Sequence, residues 1–244
     1  MGWAMPENTV LGMFAKKPEP GRVKTRLAAE LGESLAVEIA DAMLRDALAL
    51  WGSDRFVEGG RRVVVFDPPH AGPWFDEITP AALALQAQAE GDLGARMSAF
   101  FQGEFEDGAA KVIVVGTDSP TLDPNFVISA FLLLDQKDVV LAPAMDGGYV
   151  LVGCRRFVPQ LFQDIAWSTP AVLDQTTRAI EACGATLALL PPWYDVDDTE
   201  SWAMLTGHIR AMRAAGMPLN LPHLEAMLAS PRPAAPSGWT SFAG

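Results

Sequence analysis

Hydrophobic positions along the chain follow two rhythms that alternate from one end to the other. Short unbroken apolar runs at 10–15 (V-L-G-M-F-A), 61–66 (R-R-V-V-V-F) and 111–115 (K-V-I-V-V) read as buried strands, and weaker runs at 83–88, 138–142 and 186–190 read the same way. Between them, apolar residues fall three and four apart. Leu35, Ile39, Met43, Leu44, Ala47 and Leu48 predict a helix over 34–51 with Ser34 as its N-cap, preceded by a shorter helix over 25–31 that Gly32 closes. A brief helix or turn is expected at 70–77, and a helix follows the turn at 90–97 and lasts to about Phe105. Others are expected at 124–134 behind Asp123, at 167–183 opened by Trp167-Ser168-Thr169-Pro170, over 200–214, and as a patch at 223–228. Late in the chain Asp146-Gly147-Gly148 turns into a run at 149–154, a hairpin or antiparallel excursion.

Strands that are apolar on both faces belong to a sheet covered on both sides. The expected fold class is therefore α/β, with three layers (α/β/α) and a mostly parallel sheet. Neither a repeat nor a linker breaks residues 1–215, which read as a single domain. Residues 216–244 are richer in Pro, Ala and Ser and read as a partly irregular C-terminal extension.

Composition narrows the class of partner. With 18 Lys and Arg against 30 Asp and Glu, the formal net charge is −12, which argues against nucleic acid. A small anionic ligand remains compatible, because the local field decides there. The first residues carry no basic segment followed by an apolar stretch, and no apolar run is long enough to span a bilayer. Cys154 and Cys183 lie far apart and form no C-x-x-C pair, so reduced thiols and a cytoplasmic location are expected.

Against this acidic background the stretch 10–27 stands out. Its apolar run breaks into a loop that concentrates Lys16, Lys17, Arg22, Lys24 and Arg26, braced by Pro18, Pro20 and Gly21, with Thr25 opening the next helix. Basic side chains beside a helix start form a plausible anion-holding device, although an ordinary solvated loop would look similar. In an open α/β sheet, ligands bind beyond the carboxyl ends of the strands. Two more polar clusters fall there: Gly116-Thr117-Asp118 after the run at 111–115, and Asp195-Val196-Asp197-Asp198 after the run at 186–190. Asp118 has the position of a ligand for Mg²⁺ or Mn²⁺, which take carboxylate and phosphate oxygens, and the Asp195/Asp197 pair offers a second. Read alone, Asp118 has a lesser alternative as a cap for the Ser119-Pro120 corner, and the acids at 195–198 are equally the charged start of a helix. Asp92 and Arg96, four apart, could pair along one helix face. Walker-type G-x-x-x-x-G-K-[ST] and dinucleotide-type G-x-G-x-x-G spacings are absent, and His70, His208 and His223 show no metal spacing.

Taken together, several motifs resemble those of a bacterial glycosyltransferase family with the GT-A fold, in the nucleotide-diphospho-sugar transferase superfamily, formerly catalogued as the domain of unknown function DUF2064. They are F-A-K-K-P-E-P-G-R-V-K-T-R-L at 14–27, G-D-L-G-A-R-M at 91–97, G-T-D-S-P at 116–120, A-P-A-M-D-G-G-Y-V-L-V-G at 142–153, W-S-T-P at 167–170 and D-V-D-D-T-E-S at 195–201. The resemblance implies that Ala15, Lys16, Gly21, Lys24, Thr25 and Arg26 hold the nucleotide and its phosphates, with Asp92 and Arg96 on the nucleotide side. It further implies Asp118 and Asp197 as ligands of Mg²⁺ or Mn²⁺, and Asp146, Gly147 and Gly148 on the sugar or acceptor side. Asp118, Asp146 and Lys24 become the catalytic candidates.

One departure from the superfamily matters. Its usual metal motif has two acids around one residue, whereas Asp118 is flanked by Thr117 and Ser119, as in nucleotidyltransferases of the same fold. Three readings follow. The first is metal-dependent sugar transfer from a nucleotide-diphospho-sugar to a small-molecule acceptor. The second is nucleotidyl transfer from an NTP to a phosphorylated acceptor, with release of pyrophosphate. The third is a non-catalytic nucleotide-binding module. The Trp- and Met-rich last third leaves room for a homodimer contact.

Overall fold

Both faces of the central strands are apolar because both are covered by helices. The computed structural model describes residues 3–57 and 59–230. In chain order the elements are β1 (Trp3–Ala4), β2 (Thr9–Lys16), α1 (Thr25–Leu31), α2 (Glu33–Trp51), β3 (Phe56–Val57), β4 (Arg61–Asp67), α3 (Gly72–Ile78), β5 (Ala84–Ala87) and α4 (Leu93–Glu106). They continue with β6 (Lys111–Gly116), α5 (Pro124–Leu133), β7 (Val139–Pro143), β8 (Tyr149–Cys154), α6 (Val172–Ala182), β9 (Leu187–Leu189), α7 (Thr199–Ala214) and α8 (Pro222–Ala229).

Seven strands form the main sheet in the order β5-β4-β2-β6-β8-β7-β9. Only β8 runs against its neighbours, β6 and β7, so the 146–148 turn does close an antiparallel pair within an otherwise parallel sheet. Alternate residues of one strand enter different cores. Leu11, Met13, Val64 and Ile113 pack with Leu44 and Leu48 of α2 and Phe131 of α5. Val10, Val63, Val65 and Val112 pack with Phe100 and Phe101 of α4 and Ile180 of α6. A period of two with apolar residues in both phases reads as an unbroken run. At Gly12, a Cβ would stand 2.5 Å from the Phe100 ring, so this glycine lets α4 lie close to β2.

A third cluster joins α1 and α2 to α7 and α8 through Leu27, Ile39, Met43, Trp202, Leu205 and Leu224. The buried Asp46 carboxylate of α2 accepts from the backbone N–H groups of His223 (2.8 Å) and Leu224 (2.9 Å), capping α8 from another helix. Part of the 216–244 extension thereby packs into a core, and residues 231–244 lie outside the described residues.

Several boundaries differ from expectation for identifiable reasons. The helix expected from Trp167 starts only at Val172, because Ser168 is left-handed (φ 62°) and the Thr169 hydroxyl closes a turn onto the Ala166 carbonyl. Gly32, not Ser34, occupies the N-cap of α2, and the Ser34 hydroxyl donates to Glu38. The two-residue strands β1 and β3 pair in a small separate sheet that no periodicity announces.

Candidate active site

Chain order reverses between β2 and β6, since β4 and β5 lie to one side of β2 and the later strands to the other. Crevices at such switch points open where the two flanking loops part. Here the loops after β2, β6, β7 and β9 meet at the carboxyl edge.

Their meeting point is Lys24. Its backbone is left-handed (φ 46°, ψ 44°) at the N-cap of α1, which turns the side chain inward. Its Nζ lies 2.6 Å from Asp118 Oδ1 and 2.9 Å from Asp197 Oδ1, and the side chain is only 4% exposed. Burial alone would lower the lysine pKa, but the facing carboxylates Asp118 and Asp197 outweigh it and hold the pKa above the ordinary value. Arg26, largely exposed, donates to the other oxygen of Asp197 at 2.9 Å. Burial would raise the Asp197 pKa; Lys24 and Arg26 together bring it below the usual carboxylate value. The backbone ties the same loops. Val196 N–H donates to Asp118 O (3.0 Å), and Leu27 N–H, at the start of α1, donates to Asp197 O (3.2 Å).

Asp146 reaches this place from the β7–β8 turn. Its Oδ1 accepts from Gly148 N–H at 2.9 Å, and Gly147 has φ 93° with the Pro170 carbonyl 2.5 Å from where a Cβ would stand. That turn conformation and close approach both require glycine. One carboxylate oxygen each from Asp146, Asp195 and Asp197 lie within 4.8 Å of one another. Burial first, and then the neighbouring charges of Asp146 and Asp197, push the Asp195 carboxyl up to about 6. Asp118 stands outside this trio and is joined to Asp197 through Lys24. Behind the trio, Tyr194 OH bridges the Thr121 hydroxyl (2.7 Å) and His208 Nδ1 (2.8 Å), linking the Asp118 loop to the Asp195 loop and α7.

The remaining predicted residues do not contact the Lys24 cluster through their side chains. Ala15 is buried at the end of β2, with its carbonyl 3.5 Å from Gln88 Nε2. Lys16 and Thr25 are exposed, and so is Gly21 at φ 71°. Asp92 does not pair with Arg96. It caps α4 by accepting from Ala95 N–H at 2.8 Å, while Arg96 reaches Gln88 Oε1 (3.0 Å), the Gly91 carbonyl (2.9 Å) and Asp67 (3.2 Å). Gln88 and Asp67 carry no motif and escaped sequence reading; their position at the ends of β5 and β4 is the only signal they give. A cavity of about 310 Å³, lined by Thr9, Arg61, Glu104 and Asp107 among others, opens at the amino edge of the sheet, away from these groups.

The family model described as "Uncharacterized protein conserved in bacteria (DUF2064)" matches residues 55–169. A crystal structure of a "putative nucleotide-diphospho-sugar transferase" from Desulfovibrio desulfuricans G20 is 27% identical, covers 91% of this chain and 96% of its own, and superposes with a TM-score of 0.78. Over residues 55–169 the chain resembles the DUF2064 family.

The DUF2064 match contains Asp92, Arg96, Asp118 and Asp146; Lys24 and the 195–198 acids lie outside it. Two more distant structures share the fold. The 4-diphosphocytidyl-2C-methyl-D-erythritol synthase of Anaerococcus prevotii DSM 20548 is 5% identical, covers 84% of this chain and 100% of its own, with a TM-score of 0.54. The rv0371c homolog from Mycobacterium sp. strain JC1 is 14% identical, covers 85% of this chain and 100% of its own, with a TM-score of 0.52. None of the curated proteins matches the chain. Among the described residues no helix is long and apolar enough to cross a membrane.

Proposed function

We propose that this protein is a transferase that moves a sugar from a nucleotide-diphospho-sugar to a small-molecule acceptor, with Mg²⁺ or Mn²⁺ at the carboxylates of the switch point. One observation carries the reading: two cations, Lys24 and Arg26, and the acids Asp118, Asp146 and Asp197 arrive from separate loops at one place. The named activity of the Desulfovibrio relative supports it. The donor set fits the ion, because Asp146, Asp195 and Asp197 offer only carboxylate oxygens within 4.8 Å, the hard ligands that Mg²⁺ and Mn²⁺ take. A bound divalent ion would neutralise charge developing on the departing diphosphate.

The chain's own residues supply the remaining functions. Lys24 and Arg26 turn to the phosphate oxygens and stabilise the leaving diphosphate. Arg96, steadied by Asp67 and Gln88, lines the nucleotide side with the Asp92-capped start of α4. Asp146 faces the acceptor and accepts its hydroxyl proton, held by the Gly147-Gly148 turn.

A second reading draws on the single acid after β6. Asp118 contacts the buried Lys24 directly, an arrangement suited to a triphosphate whose α-phosphorus is attacked by a phosphorylated acceptor as pyrophosphate departs. A thermal-shift panel of nucleotide sugars and NTPs, each with and without Mn²⁺, separates the two. Sugar transfer predicts a metal-dependent shift with a nucleotide-diphospho-sugar, abolished in Asp197→Ala. A shift with an NTP alone, and pyrophosphate release on adding phosphorylated acceptors, assigns the second chemistry. Ligand binding without any turnover leaves only a nucleotide-binding module.

A further inference from the structure

Asp197 is the acid common to the cation pairs and to the metal-compatible trio, and both of its oxygens are already engaged. Lys24 Nζ takes Oδ1 and Arg26 takes Oδ2, each at 2.9 Å, while the same Nζ also holds Asp118. A divalent cation arriving alone would meet two positive side chains at the carboxylate it must share. We propose that Lys24 is a resident counter-ion that makes divalent-cation binding at Asp146, Asp195 and Asp197 conditional on a nucleotide's phosphates. This rests on the transferase reading, and it adds an order of binding that the reading alone does not contain.

The exchange is physically simple. An incoming diphosphate gives Lys24 and Arg26 a more concentrated negative partner than a single carboxylate, and charge-assisted bonds to phosphate are strong. Once they turn to it, Asp197 loses both cation partners beside Asp146 and Asp195, and the divalent ion compensates that trio. The carboxylates need not move. Val196 N–H on Asp118 O and Leu27 N–H on Asp197 O pin both loops through the backbone, whatever the lysine side chain does. Lys24 itself starts from a fixed left-handed backbone at the α1 N-cap, so rotation about its side-chain bonds suffices. Arg26, with 59% of its side chain exposed, is free to follow.

The test reads Mn²⁺ binding, by loss of the free-ion electron paramagnetic resonance signal, on the full chain with and without nucleoside diphosphates. Wild type is expected to bind Mn²⁺ at least about tenfold more tightly when a nucleotide is present, a coupling within the usual range between linked ligands. Lys24→Met is expected to bind Mn²⁺ alone about tenfold more tightly than wild type and to lose most of that nucleotide dependence. Should Lys24→Met fail to fold, Lys24→Gln, which removes the charge but keeps a polar end, replaces it. A lysine variant that binds Mn²⁺ alone no better than wild type overturns the proposal. Tight Mn²⁺ binding by wild type without nucleotide also overturns it and leaves the transferase reading standing. If wild type binds neither nucleotide nor Mn²⁺ while the variant gains Mn²⁺, Lys24 excludes the ion without any phosphate to release it, and both the proposal and the transferase reading fall.

Discussion

At the scale of single residues, the chain uses acids in two different ways, and burial alone does not tell them apart. Asp138, just ahead of β7, lies at the amino edge of the sheet and accepts from the Thr186 backbone N–H (2.9 Å), the Thr186 hydroxyl (3.0 Å), Arg155 (2.9 Å) and Arg156 (3.3 Å). The Thr186 N–H is the main reason its carboxyl sits well below the ordinary value, and the arginines add to it against the cost of burial. Both arginines are exposed, so their share is screened. Because the folded pKa is depressed, this contribution is complete above about pH 4, the unfolded value, and is lost as pH falls through the folded one. Asp138→Asn is therefore expected to cost ~2 kcal/mol at pH 7, or roughly 4–8 °C in Tm for a chain of this size. Urea unfolding of both proteins from pH 7 down to pH 3 checks this: the gap should hold to about pH 4 and begin to narrow below it, and a gap that does not vary with pH would contradict it. The acids at the carboxyl edge behave otherwise. Within one short loop Asp195 is pushed up by burial and then by the neighbouring carboxylates, whereas at Asp197 Lys24 and Arg26 outweigh burial and bring the value down.

At the scale of elements, the attachment of α8 turns on one side chain. The helix buries Leu224 in the third cluster, and its first amides rely on Asp46 of α2. Asp46→Ala would leave two amide donors without their acceptor and is expected to cost about 3 kcal/mol. Hydrogen exchange should then quicken at the start of α8 while β2 and β6 keep their protection; uniform loss across the sheet would show that α8 is not a separable attachment. Long elements were readable before the structure because their periods are long. The helix over 25–31 matches α1, the run at 10–15 falls within β2, and Asp123 caps α5 as its position suggested. Short or strained pieces were not. The pair β1 and β3 is too brief to show a period, and left-handed Ser168 delays α6 although Trp-Ser-Thr-Pro has the composition of a helix start. In the site, acids and cations were visible as loop residues after strands. Their partnership was not, since Lys24 and Asp197 stand 173 residues apart and only the sheet order brings them together.

At the scale of the molecule, the three apolar clusters are not independent. The strands present alternate residues to the first two, so neither can lose its sheet face without the other. Helix α2 joins the first to the third: Leu44, Ala47 and Leu48 face the sheet, whereas Ala36, Ile39 and Met43 face α7 and α8. A helix apolar on both sides is a shared wall, and detaching either layer exposes one of its faces to water, at roughly 25 cal/mol per Å² of apolar surface. The same wall supports the site, because α1 and the Asp195–Asp198 loop both enter the third cluster through Leu27 and Val196. The described residues are therefore expected to unfold in one cooperative transition. Trp51 in the first cluster, Trp167 against the second and Trp202 in the third give fluorescence from every layer. Fluorescence and far-UV circular dichroism should trace superimposable urea curves, with the response to Mn²⁺ and nucleotide disappearing at the same midpoint. A fluorescence transition at lower urea than the loss of circular dichroism would mean that the α7–α8 layer detaches from an intact sheet. Such a detachment would release Asp195 and Asp197 while leaving Asp118 in place, and ligand response would then vanish before the fold does.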